Sequence, residues 1–415
     1  MTIKIPKLSF SENLIIIILL IVSFNGFISS FIPIFHYVDY AIDILNTVLL
    51  ISLIKKSKLN NFKKYKVKKI FIWVIILCLV TICTTIPRIE SFVLFCWSLR
   101  NNFRYFIFFF ACIFLSKRGY SGIFDKLFWI NFVLSLFEYL ILGKSQDWLG
   151  GIFGTIGGSV NAPLNLLLVI CTARFTILYL IKRKTLLFFS ITSLCSMIIA
   201  SIAELKFFYF EYIIIIILAV LITDFSWRKI RIIFISLLGI FIGANLLFIV
   251  FPSLDHEFFS YKFLSAYTTS NQGYTSTGDI NRLNFIEQCN TFFKTNFSKF
   301  FGLGLGNCET FQLIGLSSSF YKMNSYLHYS WLSSSFMYLE TGIIGFFLYF
   351  GFFFFLFFQI RGKFKDRLNT VDCRTAEILA LIVPLLLLYN LSMRGNEAYL
   401  MYYILALPFI SYKKC

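Results

Sequence analysis

The chain has 415 residues, of which 58% are hydrophobic and only 14% charged, and its mean hydropathy is +0.80. A soluble domain would carry roughly 25% charged residues, so that class is excluded. The net charge of +18 would suggest nucleic-acid binding in a soluble chain, but 26 of the 38 Lys and Arg fall in seven short segments between apolar runs.

Those runs are near 20 residues long, enough to cross a bilayer core as a helix. Backbone in lipid must bond within its own segment or within a closed barrel. Residues 213–222 (IIIIILAVLI) show none of the alternation of a barrel strand. The expected fold is therefore an all-α polytopic membrane protein with about twelve transmembrane helices. In chain order they fall at 13–35, 36–54, 70–86, 91–115, 127–143, 162–181, 185–203, 207–223, 230–251, 342–360, 376–393 and 398–410. The first run is too long for a signal peptide and lacks a small-residue cleavage site, so it reads as the first helix.

The basic segments are 1–12, 55–69, 116–126, 182–184, 224–231, 361–374 and 411–415. They occupy the two ends and alternate loops, which makes that side cytoplasmic. Lys4 and Lys7 then lie inside, and twelve crossings return Lys413 and Lys414 to the inside. Lys55 to Lys69 reads as an orientation signal beside anionic lipid. The chain is expected to be one transmembrane domain, 1–415, with a long outer loop at 252–341 as its only sizeable non-membrane segment.

Helix 91–115 carries Arg100 and Arg104 in WSLRNNFRYF, with Asn101 and Asn102 between them. A spacing of four puts both guanidinium groups on one face. Charges at mid-bilayer cost about 2.5 kcal/mol or more each, so they need a reason. Two readings fit. One is an ion pair with Asp39, Asp43, Glu138 or Glu211; the other is a cationic, outward-facing cavity for phosphate or pyrophosphate. Arg174 lies nearer the cytoplasmic end, where snorkelling explains it. Lys206, in the outer turn AELKFF, forms either an interfacial pair with Glu204 or another phosphate contact.

The outer loop 150–165 (GGIFGTIGGSVNAPLN) holds Gly150, Gly151, Gly154, Gly157 and Gly158, which free the backbone to approach a ligand or another helix. It lacks a nucleotide P-loop pattern. Ten Cys occur without a C-x-x-C pair. Cys78, Cys83, Cys96, Cys112, Cys171 and Cys195 lie in apolar runs and read as packing residues. Cys289 and Cys308 share the long outer loop, where a disulfide could persist.

That loop also holds Arg282 in GDINRLNFIEQ, a capped helix start, and FFGLGLGN, where Gly302, Gly304 and Gly306 alternate. His328 and Glu340 follow, and Gly342 and Gly345 open the next helix. His36, His256 and His328 are the three histidines, with no H-E-x-x-H and no close acid cluster, so neither a metal nor another cofactor is expected. Tyr267, Tyr274, Tyr321, Tyr326 and Trp331 suit either sugar stacking or anchoring at the membrane interface.

Taken together, Arg282, the Gly302/Gly304/Gly306 turn, His328 and E-T-G-I-I-G from Glu340 to Gly345 resemble the O-antigen polymerase (Wzy-type) and O-antigen ligase (WaaL-type) superfamily of bacterial surface polysaccharide assembly. The stretches GIFGTIGGSVNAPLN and AELKFF resemble the polymerases more. One departure is that His328 is followed by Tyr329 where the family often has Asn. The resemblance implies metal-independent glycosyl transfer at the outer face of the bacterial inner membrane. A glycan chain on undecaprenyl pyrophosphate moves to a hydroxyl of a new lipid-linked repeat unit. It implies Arg282, His328 and Glu340 as catalytic residues, with Arg100, Arg104 and Lys206 on the pyrophosphate. Glu340 is either the rival base or the residue that orients His328. The implied partners are lipid-linked oligosaccharides, membrane lipid and a chain-length regulator protein, with no nucleic acid. Two alternatives stay open: ligation of the glycan to lipid A-core, and a flippase for lipid-linked sugars. A transferase using a polyprenyl phosphate sugar fits less well, because it would place an acid in a sizeable first outer loop.

Overall fold

The computed structural model describes residues 9–56, 67–154, 160–252, 278–364 and 370–411. Gly157, Gly158, His256, Tyr267, Tyr274, the lysines Lys58 to Lys66, Lys4, Lys7, Lys413 and Lys414, and the side chains of His36 and Asp39 lie outside the described residues.

The long helices are α1 Phe10–Phe31, α2 Val38–Lys56, α3 Lys68–Thr85, α4 Phe92–Leu115, α5 Ile123–Leu140, α6 Asn161–Leu180, α7 Leu186–Ile202, α8 Lys206–Ile222 and α9 Trp227–Val250. Residues 278–332, called the outer segment after the expected topology, then contribute three one-to-two-turn helices, α10 Phe285–Asn290, α11 Asn296–Phe301 and α12 Ser319–Asn324. A two-residue hairpin, β1 Thr310–Phe311 with β2 Leu316–Ser317, stands between α11 and α12. The bundle closes with α13 Ser333–Lys363, α14 Val371–Tyr389 and α15 Ala398–Ser411. Each expected helix has a counterpart. Among the described residues the chain is all-α apart from the hairpin, and α1, α3, α6, α9 and α13 are long and apolar enough to cross a membrane.

Where boundaries differ from expectation, local chemistry explains it. Helix α1 starts three residues early because Ser9 and Glu12 form a capping box: Glu12 N donates to Ser9 Oγ, and Ser9 N donates to Glu12 Oε2. It stops at Phe31, just ahead of Pro33, whose ring disfavours helix in the preceding residue. Helix α14 begins at 371 rather than 376 because the Thr370 hydroxyl caps Cys373 N. It ends at Tyr389 rather than 393, and residues 390–397 form a separate turn rich in Asn, Ser and Gly.

Helices α6 and α15 are largely apolar and buried on nearly every side, so they form the centre of the bundle. Around them an aromatic core joins Tyr105, Phe106 and Phe109 of α4 to Tyr349 and Phe352 of α13 and Tyr402 of α15. The outward faces of α3 and α9 stay apolar, with Leu79, Phe234 and Leu237 exposed, as a lipid-facing surface requires.

Two charged residues behave differently from expectation. Arg174 does not snorkel: its side chain is 7% exposed, with Nε 2.7 Å from Asp125 and Nη1 3.8 Å from Asp372. Glu138 does not reach Arg100 or Arg104. Instead it accepts from Gly150 N and Gly151 N, which ties the Gly-rich loop to α5. Gly154, at φ +60°, packs so closely on Gly26 of α1 that a Cβ would lie 2.3 Å from the Gly26 carbonyl oxygen. Of the two uses open to that loop, the described part serves helix approach.

Candidate functional site

The site is organised by a break in α13. Gly342 has φ 62° and ψ −168°, so Ser333–Thr341 and the apolar remainder are two half-helices. A break leaves carbonyls at the end of the first half without helical partners. Here Leu303 N and Gly304 N take the carbonyls of Leu339 and Glu340 at 2.7 and 3.0 Å. The alternating glycines make this fit possible. At Gly302 a Cβ would sit 2.3 Å from the Glu340 backbone, and at Gly306 it would meet Leu94 of α4 at 2.5 Å. Gly342 is equally crowded by Gly302, and Gly345 by the Thr341 side chain. Gly302, Gly306 and Gly342 seat the outer segment on α4 and α13.

Glu340 is 1% exposed and locks that seat. It accepts from Ser98 Oγ at 2.6 Å and Gly306 N at 2.8 Å. From α3 and the turn after it, Thr85 Oγ1 accepts from Leu305 N, and Arg88 caps the carbonyls of Phe301 and Gly302. The structure therefore does not place Glu340 against His328. Its partners are those of a residue that holds backbone in place.

His328 is paired with Asp279 instead, with Nδ1 2.5 Å from Asp279 Oδ1. Its ring stacks on Trp331 at 3.9 Å and 20°, and its side chain is 41% exposed. His328 itself adopts the left-handed conformation, at φ 49°. A hydrogen bond from Ile280 N to Leu327 O ties the backbone next to Asp279 to that next to His328, and Arg282 follows in a turn. Arg282 Nε donates to the Tyr389 carbonyl at 3.0 Å, and its guanidinium lies 4.9 Å over the Tyr389 ring. Among the described residues its two terminal nitrogens have no ion pair.

Deeper, a chain of polar contacts crosses the bundle. Arg100 bonds Asp43 Oδ2 of α2 through Nε at 3.0 Å and Nη2 at 2.5 Å, and donates to Asn101. Asn101 Nδ2 reaches Glu309 Oε1 at 3.1 Å, and Arg394 Nη2 reaches the same oxygen at 2.6 Å. Arg104 donates to Tyr105 OH and to the Arg394 carbonyl, and lies 3.7 Å from Asp43. Of the four acids open as partners for the two arginines, Asp43 takes both. Buried nitrogens still lack hydrogen bonds among the described residues: Nε and Nη1 of Arg104 and Nη1 of Arg394. Phe311, Trp97 and Arg100 stack in sequence, at 3.9 and 4.4 Å. Lys206 pairs with Glu204 at 2.8 Å at the start of α8.

Cys289 and Cys308 are free thiols, both buried in the apolar core of the outer segment with Phe285, Tyr329 and Tyr338. The disulfide does not form here. Burial pushes both thiols well above their usual range, which leaves them inert.

No protein-family model and no curated protein matches the chain.

The structure thus pairs His328 with Asp279, rests Arg282 on Tyr389, and gathers Arg100 and Arg104 with Arg394 and Glu309. Asp279, Glu309, Tyr389 and Arg394 were not legible as site residues. Asp279 precedes His328 by 49 positions, and Arg394 lies at the end of what reads as a helix.

Proposed function

We propose that this protein is a lipid-pyrophosphate-linked glycan polymerase working at the outer face of a bacterial inner membrane. In this reading all twelve long helices cross the bilayer, both termini lie inside, and the segment between α9 and α13 roofs an outward cavity. The observation that carries it is the His328–Asp279 pair on the segment that also bears Arg282. A carboxylate on Nδ1 fixes the tautomer, so Nε2 holds the lone pair that accepts a proton.

The acceptor hydroxyl of the incoming repeat unit gives its proton to His328 Nε2 as its oxygen attacks the anomeric carbon. The bond from that carbon to the pyrophosphate breaks, and the leaving group takes the electron pair. The unpaired fork of Arg282 is suited to that developing charge, and Arg100 and Arg104 supply further positive charge deeper in the bundle. Glu340 acts through structure, by seating the glycine turn.

The test is elongation of a lipid-linked oligosaccharide by purified protein in detergent. Arg282→Ala should abolish long products while the protein still inserts. His328→Ala should lower the rate by about 10²–10⁴-fold and remove the rise in activity with pH that deprotonation of a base produces. Long polymer from the Arg282 variant, or an unchanged pH profile from the His328 variant, would overturn the reading.

A further inference from the structure

Tyr389 ends α14, and contacts from two residues, Arg282 and Phe207, meet on it. Its carbonyl accepts from Arg282 Nε at 3.0 Å. The Arg282 guanidinium lies 4.9 Å from its ring centroid. Phe207, next to Lys206 at the start of α8, stacks on the same ring at 4.2 Å and 12°. A ring stacked that closely leaves no space for a guanidinium on the same face, so Tyr389 is held between Phe207 and Arg282. The hydrogen bond uses Nε, not the terminal fork. Arg282 is therefore fixed at its stem, and among the described residues both terminal nitrogens are without an ion pair.

The neighbourhood explains why this fixing matters. Arg282 is on the outer segment, whereas Tyr389 and Phe207 belong to two different long helices. An arginine side chain has several free torsions, and an unrestrained one loses most of its advantage in binding a planar or bidentate anion. The negative end of α14 further favours a cation at this spot.

We propose that Tyr389, backed by Phe207, is a positioning residue that presents the Arg282 fork to a diphosphate. This rests on the functional reading given above. Arg282 is the group that touches the ligand; Tyr389 acts through it.

The test measures binding of a short polyprenyl diphosphate to the purified full chain in detergent, so it works in inactive variants. Arg282→Ala should weaken binding clearly. Tyr389→Ala should weaken it by about tenfold, the scale of a partly desolvated cation–π contact, and Tyr389→Phe should restore it. The double variant Arg282→Ala/Tyr389→Ala should bind no worse than Arg282→Ala alone, because the ring acts only through the arginine. Additive losses in the double variant, or no loss in Tyr389→Ala, would overturn the positioning role. Unaltered binding in Arg282→Ala would instead sink the functional reading. Phe207→Ala should give a smaller loss than Tyr389→Ala, and none in the Arg282→Ala background; a loss that persists there marks Phe207 as structural only and removes it from the device.

Discussion

Arg394 and Glu309 show how much a single buried pair carries. Their side chains are 7% and 5% exposed, and they join the turn after α14 to the segment that follows the glycine turn. Arg394 also lies 3.6 Å from the Phe336 ring centroid. Removing one partner of such a pair strands the other charge, at a cost of about 3–5 kcal/mol, whereas replacing both with apolar groups is often neutral. Arg394→Leu and Glu309→Leu should each lower the thermal unfolding midpoint in detergent sharply, and the double variant should recover most of the loss. If the double variant is as unstable as the sum of the singles, the pair is not acting as a unit. Hydropathy cannot reveal such a pair. It marks Arg394 as a charge near a helix end, and Glu309 sits 85 positions away in a polar loop. Arg100 and Arg104 were legible, because a charge pair at helical spacing within an apolar run stands out. Their choice of Asp43 over Glu138 and Glu211 was not, because it depends on α2 packing against α4.

At the scale of elements, the twelve long helices follow from apolar length alone. Their ends follow from capping chemistry that is visible in hindsight at Ser9, Pro33 and Thr370. The division of α13 at Gly342 is partly legible: the sequence suggests a helix beginning there, and the structure adds a half-helix before it. Nothing local in Ser333–Thr341 indicates that its carbonyls will be met by Leu303 and Gly304, because that contact needs the glycine turn already in place. Gly342→Ala tests the arrangement. The residue is at φ +62°, where an L side chain costs about 1–3 kcal/mol of backbone strain, and its Cβ would lie 2.3 Å from Gly302 N. Limited proteolysis should therefore cut the outer segment of this variant much faster than in the wild type, while α6 and α15 stay protected. Equal protection would mean that the break does not hold the segment down.

For the molecule as a whole, the side of the membrane on which the outer segment lies decides everything proposed for it. The hairpin turn Gln312–Gly315 is exposed at Leu313 and Ile314 and is a mild place for a short epitope. An epitope inserted after Ile314 should be reached from outside intact, inner-membrane-exposed cells without permeabilisation. One in the basic turn at Lys182–Lys184 should require it. An outer-segment epitope found in the cytoplasm would remove the topology and the glycan chemistry together.

The contacts that complete the site share one property of order. Arg282 rests on Tyr389, Ser333 donates to the Asn390 carbonyl, and Glu309 is neutralised by Arg394. All three partners lie beyond residue 388, so a ribosome makes them after the residues that they hold. Until α14 and the turn after it are made, Arg282, Ser333 and Glu309 lack these contacts. The frame is therefore completed last, and a chain cut before α14 should keep its earlier helices but leave these three residues without their partners.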